Sequence, residues 1–183
     1  MNPAADLTGV IAFTDIVGFT ELTELHGDEA ALHLVDAHDA AVRSVLVPRS
    51  RVVKELGDGM LLWFDHAAEA VAACLQLQRR LLGATVGTLP LWVRIGAHLG
   101  TPRRRGDDLI GRDVNLTSRI AELAGPGEVI CSAALVQSLQ HRCDTGGVSA
   151  ASFTPLGAVY VKGIAEPVEL YRAEPARVSV QTG

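Results

Sequence analysis

Residues 51–64 read RVVKELGDGMLLWF, in which two apolar runs flank the short turn Gly57-Asp58-Gly59. An Asp-Gly turn between two such runs is a strong local signal for a β-hairpin. We therefore predict strands over Arg51–Leu56 and Met60–Phe64, with Asp58 at an exposed tip between them.

The segments on either side of this hairpin have helix and strand patterns. Before it, an apolar run from Gly9 to Thr14 predicts a buried strand that ends at Asp15. The elements predicted next are a helical turn capped by Thr20 and ending at Leu25, and a helix from Asp28 that stops at Pro48. Those predicted after the hairpin are helices over His66–Leu82, Asp113–Ala124 and Ala133–Leu139, strands over Leu91–Leu99, Val129–Cys131, Phe153–Tyr160 and Val168–Tyr171, and a polar stretch over Thr101–Asp108. This order predicts an α+β fold, with a ferredoxin-like βαββαβ core and additional C-terminal α/β elements.

The composition is typical of one globular domain. The chain has 183 residues, of which 48% are hydrophobic, and a formal net charge of −5. A negative balance argues against binding to nucleic acid or to an anionic membrane, and no apolar run is long enough for a membrane span. The chain start has no secretory signal pattern, and Cys74, Cys131 and Cys143 form no C-x-x-C pair, so we expect a reducing, cytoplasmic location.

Two acidic residues stand out by their positions at the ends of predicted strands. Asp15 ends the first strand, and Asp58 lies in the hairpin turn. If the first strand lies beside the hairpin, both carboxylates converge at one edge of the sheet, and two such oxygen ligands suit Mg²⁺. The spacing alone is explained more simply by a turn role for Asp58 and a strand-end cap at Asp15.

Two further groups of residues have patterns that suit phosphate binding. Ile16-Val17-Gly18-Phe19-Thr20 precedes a helix, whose free N–H groups attract anions, although a glycine before a helix is common. Asn115 and Arg119 are four residues apart on one helix face, where an amide and a guanidinium suit a sugar and a phosphate, or form an ordinary surface pair. The sequence contains neither a Walker A pattern nor G-x-G-x-x-G.

Four segments together resemble the signatures of class III nucleotidyl cyclases. They are FTDIVGFT at residues 13–20, KELGDG at 54–59, DLIGRDVNLTSR at 108–119 and VKGI at 161–164. The resemblance extends from Thr8 to Arg172 and implies a cyclase homology domain over residues 8–173, with short tails at 1–7 and 174–183. It further implies an adenylyl cyclase that converts ATP to 3′,5′-cyclic AMP and pyrophosphate, using two divalent cations (Mg²⁺ or Mn²⁺), in a homodimer with active sites at the subunit interface.

The resemblance also implies a role for individual residues. The metal-binding residues are Asp15, Ile16 and Asp58; the adenine-binding residues are Lys54 and Asp108; the catalytic residues are Asn115, which positions the ribose, and Arg119, which stabilises the α-phosphate; and the phosphate-binding residues are Gly18, Phe19, Thr20, Arg103 and, from the partner side, Lys162. Guanylyl cyclases typically have Glu and Cys in place of Lys54 and Asp108, which favours ATP over GTP.

Three other interpretations remain at this stage. One is a catalytically silent cyclase-derived domain that binds ATP, although no metal-binding Asp, Asn115 or Arg119 is lost. Another is a guanylyl cyclase, which Lys54 and Asp108 disfavour. An unrelated ferredoxin-like binding module would explain the fold but not the coincidence of four motifs.

Overall fold

The computed structural model describes residues 7–143 and 151–176, so most of the two predicted tails lies outside the described residues. The helices are α1 (Phe19–Arg43), α2 (Ala67–Leu81), α3 (Arg112–Leu123) and α4 (Ala133–Cys143). The strands are β1 (Gly9–Ile16), β2 (Ser50–Glu55), β3 (Gly59–Phe64), β4 (Thr85–Val86), β5 (Leu89–Pro90), β6 (Val93–Gly100), β7 (Arg103–Arg105), β8 (Asp108–Ile110), β9 (Val129–Ser132), β10 (Ala151–Val159) and β11 (Val168–Pro175).

Seven strands form one sheet in the order β10-β11-β9-β6-β1-β3-β2. The four strands β6-β1-β3-β2, with α1 and α2, are the predicted ferredoxin-like βαββαβ core, and this prediction is confirmed. The later strands extend the sheet beyond β6, where β9 pairs with β6 in parallel and β11 and β10 follow in antiparallel pairs. The chain is therefore an α+β domain with added C-terminal elements, as the sequence indicates.

The central strands are covered on both faces, which explains their nearly continuous apolar sequences. On one face Val10 and Leu62 belong to a large core cluster with α1 and α2. On the other face Ile11 and Trp63 pack with Leu109. Because side chains alternate across a strand, β1 and β3 supply both layers at once.

Helix α3 lies on the second face, close to β6. A side-chain carbon on Gly96 would overlap the main chain of Ala121, and one on Gly100 would lie 2.6 Å from the Asp113 carboxylate. The helix buries Leu116 and Ile120 in a smaller cluster against β9 and β11. Two glycines on β6 thus fix how near α3 comes to the sheet.

Several local predictions are corrected by the structure. Thr20 is not a helix cap, because α1 begins at Phe19 after Gly18, whose φ of 73° sets the turn. The two predicted helical segments form one element with a break at Gly27, and it ends at Arg43 rather than at Pro48. The polar stretch after β6 contains the β7–β8 hairpin, and the β4–β5 hairpin precedes β6, which therefore begins at Val93 rather than at Leu91.

Two further observations concern the cysteines and the helices. Cys74 and Cys131 are both free thiols in the core. Within residues 7–143 and 151–176, no helix combines the length and the apolar character needed to cross a membrane.

The imidazole of His38 on α1 is fully buried. Neither of its ring nitrogens has a hydrogen-bond partner among the described residues. Burial lowers the pKa of His38 from 6.5 to about 4, and the charge of Asp39 opposes this only in part. The unfolded chain therefore binds a proton at higher pH than the folded chain, so stability falls as the pH drops from 6.5 towards 4.

We predict that His38→Leu removes this loss of stability in acid. Urea unfolding measures this effect. Between about pH 7 and about pH 4.5, the free energy of unfolding of the wild type should fall by about 2 to 3 kcal/mol more than that of the variant. His33→Leu, at an exposed position of the same helix, is the matched control and should behave as the wild type does. Equal losses in His38→Leu and the wild type would show that His38 is not the responsible group.

Candidate active site

Asp15 and Asp58 lie together in a cleft at the end of β1, as the sequence predicts. Asp15 is opposite Gly59 in the β1–β3 register, and the Ile16 N–H donates to the Asp58 carbonyl at 3.0 Å. Both carboxylates line a cavity of about 210 Å³, which we call the carboxylate cleft. Asp58 is half-buried there, so the expectation of a fully exposed hairpin tip is wrong.

The Arg94 guanidinium is bound to Asp15 in this cleft. Its Nε and Nη2 lie 2.7 Å and 2.6 Å from Oδ2 of Asp15, and its Nη1 donates to the Glu122 carbonyl at 3.3 Å. Strand β6 places Arg94 directly opposite Asp15 in the β1–β6 register. The cleft therefore has one fixed cation beside the carboxylates of Asp15 and Asp58.

The charges of the carboxylate cleft fit a divalent cation. Burial raises the pKa of Asp58 above its ordinary value, and the nearby negative charge of Asp15 raises it further. A cation between the two groups would relieve both effects. No cluster of three or more His, Cys, Asp or Glu side chains suited to a metal occurs among the described residues. Two carboxylates that leave the other positions to water and phosphate suit Mg²⁺.

Lys54 and Asp108, the predicted adenine-binding residues, contact each other directly. Lys54 at the end of β2 places its Nζ 2.9 Å from Oδ2 of Asp108, at the start of β8. The hydrogen bond from Lys54 lowers the pKa of the Asp108 carboxyl. The residues are 54 positions apart, and the β7–β8 hairpin brings them together.

Asn115 and Arg119 line a second cavity of about 390 Å³, together with Lys162. We call it the arginine cleft. Arg119 Nη1 also contacts Oε1 of Glu122, one turn further along α3, at 2.5 Å. The structure thus brings together three predicted residues from two distant motifs. Ser118 lines both this cleft and the carboxylate cleft, so α3 forms the wall between them.

The remaining predicted phosphate-binding residues lie outside these two clefts. Gly18, Phe19 and Thr20 form the N-terminus of α1, which Val17 separates from Ile16 at the end of β1. Arg103 is exposed on β7 and lines neither cleft. Ile16 is buried in the core, and only its main chain is near the hairpin turn. Like the roles of the other site residues, the binding roles of these five residues stay predictions.

Sequence reasoning missed two residues of the carboxylate cleft, Arg94 and Glu122. Arg94 is 79 residues from Asp15, and only the pairing of β1 with β6 places them side by side. For Glu122 the sequence contains a signal, because Glu122 follows Arg119 by three residues on the same helix, a spacing that allows an ion pair.

The chain belongs to the adenylate and guanylate cyclase catalytic domain family, which it matches over residues 5–174. Class III cyclases use divalent metal ions in general. An adenylate cyclase of Streptomyces coelicolor is 31% identical over 166 residues, covering 90% of this chain and 43% of that relative. The chain thus spans less than half the length of this curated relative.

Solved cyclase structures share the fold. An adenylate cyclase from Trypanosoma brucei, described in its monomeric state, superposes with a TM-score of 0.79 at 24% identity, covering 94% of each chain. A guanylate cyclase domain from Catenaria anguillulae, in complex with GTP, superposes with a TM-score of 0.76 at 21% identity, covering 94% of this chain and 98% of that one. Since both adenylate and guanylate cyclases share this fold, the fold alone does not select the nucleotide.

We predict that Asp58→Asn makes the metal-free protein slightly more stable at neutral pH. The substitution removes a carboxylate that is partly desolvated and repelled by Asp15, and its gain stays below about 1 kcal/mol because solvent screens this site. Thermal unfolding in a chelator measures the effect. Adding Mn²⁺ should then raise the unfolding temperature of the wild type but not of the variant. Equal Mn²⁺ stabilisation of both would show that the metal binds elsewhere.

Proposed function

We propose that the chain is an adenylyl cyclase domain that converts ATP to 3′,5′-cyclic AMP and pyrophosphate. The observation that carries this proposal is the division of charge between the two clefts. The carboxylates of Asp15, Asp58 and Glu122 line one cleft with the single guanidinium of Arg94, while the Asn115 amide, two guanidiniums and the Lys162 ammonium line the other. The first set suits divalent cations, and the second suits a ribose and a triphosphate.

The proposed site is shared between two copies of the chain. The carboxylate cleft contains neither Asn115 nor Lys162, and the arginine cleft contains neither Asp15 nor Asp58. A homodimer in which the carboxylate cleft of one copy faces the arginine cleft of the other would complete two equivalent sites. A monomer would carry no complete site.

Each residue then has a definite part in the reaction. The 3′-oxygen of the ribose attacks the α-phosphorus in line, the bond from that phosphorus to the bridging oxygen breaks, and pyrophosphate leaves. Asn115 orients the ribose, and Arg119 stabilises the negative charge that builds up on the α-phosphate. Lys162 and Arg94 hold the remaining phosphates. Asp15 and Asp58 would hold divalent cations, which would supply acidification of the 3′-hydroxyl and neutralisation of phosphate charge.

We assign the proton of the 3′-hydroxyl to water. Among the described residues, no histidine lines either cleft. The carboxylates of Asp15 and Asp58 are assigned to the metal, and Asp15 is also bound to Arg94. Catalysis therefore depends on position and charge more than on a side-chain base.

The choice of ATP rests on Lys54 and Asp108. Together they present an ammonium donor and a carboxylate acceptor, 2.9 Å apart and both accessible to solvent. Adenine offers a ring nitrogen acceptor and an exocyclic amino donor on one edge, and this pair complements that edge.

We predict that two inactive variants restore activity when mixed. Asp58→Ala and Arg119→Ala should each retain less than about 1% of wild-type turnover. Mixed dimers would contain one intact site. If half the dimers are mixed, the mixture should reach about a quarter of wild-type activity. Cyclic AMP formation from ATP and Mn²⁺, after co-refolding, measures this.

Two outcomes contradict parts of this proposal. Inactive variants that stay inactive when mixed, although mixed dimers form, would argue against a shared site. A wild-type protein that is folded and dimeric, yet makes no cyclic product from ATP or GTP, would favour a catalytically silent domain.

We predict that Lys54→Glu combined with Asp108→Cys weakens the preference for ATP. The double variant removes the donor and the acceptor that complement adenine, so the ratio of kcat/KM for ATP to that for GTP should fall at least about tenfold. Arg104→Glu on the neighbouring strand is the control and should leave the ratio unchanged. An unchanged ratio in the double variant would show that other residues recognise the base.

A further inference from the structure

His98 links three elements behind the arginine cleft. It lies on β6, is 8% exposed, and its Nδ1 is 2.8 Å from Oγ of Ser132 on β9. Its Nε2 faces Oδ1 of Asp113, in the first turn of α3, at 3.7 Å. The imidazole thus fills the space between the sheet and the helix that carries Asn115 and Arg119.

The hydrogen-bond network accommodates the neutral ring with its proton on Nε2. Ser132 Oγ accepts from the Leu135 N–H at 3.4 Å, and its hydroxyl can donate to Nδ1 of His98. The ring proton is then on Nε2, directed at Asp113. At 3.7 Å this contact is longer than a hydrogen bond, so the neutral ring attracts the carboxylate only weakly.

Asp113 is in turn the residue that attaches α3 to the end of β6. Its Oδ2 accepts from the Thr101 N–H at 2.7 Å, and its carbonyl accepts from the Thr117 hydroxyl at 2.6 Å. Gly100 lies against the same carboxylate with no space for a side chain. A displacement of Asp113 therefore displaces the first turn of α3.

We propose that His98 is a positioning residue whose protonation resets the first turn of α3 and thereby moves Asn115 and Arg119 out of their productive geometry. The catalytic part of this inference rests on the proposed cyclase function. The displacement of α3 does not, and it can be measured separately.

The charged groups around His98 come from two sides. Asp113 and Arg112 face it from α3, and Glu166 and Glu169 line the same cavity of about 270 Å³ from the segment before β11 and from β11 itself. Burial lowers the pKa of His98, the charge of Arg112 adds to this, and Asp113 opposes both. The pKa of the ring therefore lies below its ordinary value of 6.5, and the ring is neutral at pH 7.

Protonation changes both contacts of the ring. The Ser132 hydroxyl can no longer donate to Nδ1 and must turn to accept from it. The imidazolium also pulls the Asp113 carboxylate from 3.7 Å towards hydrogen-bond distance, against its bond to the Thr101 N–H. Because catalysis is sensitive to displacements well under about 1 Å, turnover should fall in acid.

The first experiment follows α3 by NMR without substrate. In the wild type, the amide resonances of residues 113–119 should titrate with the same midpoint, below 6.5, as the His98 ring. His98→Gln keeps a side-chain N–H₂ near Asp113 but does not titrate. The pH-dependent shift of the α3 amide resonances should therefore disappear in this variant. His33→Gln, on the exposed face of α1, is the matched control and should retain it.

The second experiment measures kcat and KM for ATP across the same pH range. Wild-type kcat should fall at least about threefold in acid, with a smaller change in KM, and His98→Gln should lack most of this fall. Should His98→Gln not fold, Asp113→Asn serves instead. It keeps an acceptor for Thr101 N–H, and it should uncouple the amides of α3 from the His98 titration.

The outcomes separate the two proposals. Amides of α3 that titrate equally in the wild type and in the folded variant would overturn the positioning role, whatever the activity. A coupled titration in a protein that makes no cyclic nucleotide would support the positioning role and contradict the cyclase function.

Discussion

Helix α3 lies almost against the main chain of β6 because Gly96 and Gly100 carry no side chains that would hold it away. This contact decides where the charged residues of the helix lie. Asn115 and Arg119 reach one cleft, Glu122 reaches the other, and Ser118 lies between. A methyl group on either glycine would require α3 to move, and both clefts would move with it.

Three cationic groups of the candidate site are each paired with a carboxylate. Lys54 is paired with Asp108, Arg94 with Asp15, and Arg119 with Glu122. Solvent reaches all three pairs, so each contributes little to stability. Such pairs hold the side chains in position. In the proposed function, these side chains would exchange their partners when a triphosphate and its cations bind.

Elements that depend on residues close together in sequence were predictable, and elements without a local pattern were not. The β2–β3 hairpin was predictable because an Asp-Gly turn and its flanking strands are local. The break at Gly27 agrees with the predicted division of α1 into two helical segments, although the cap at Thr20 was wrong. The hairpins β4–β5 and β7–β8 escaped prediction because their strands have two or three residues, too few for a periodic pattern.

The sequence by itself determined the order of the core elements, the motifs that identify the family, and the candidate residues on each motif. These properties depend on residue type and spacing, which the chain displays directly. Only the tertiary structure decided that Arg94 pairs with Asp15, that Asp58 is half-buried beside it, and that His98 faces Asp113. Those contacts join residues far apart in sequence, and their distances depend on strand register and on how closely a helix approaches a sheet, which no local pattern specifies.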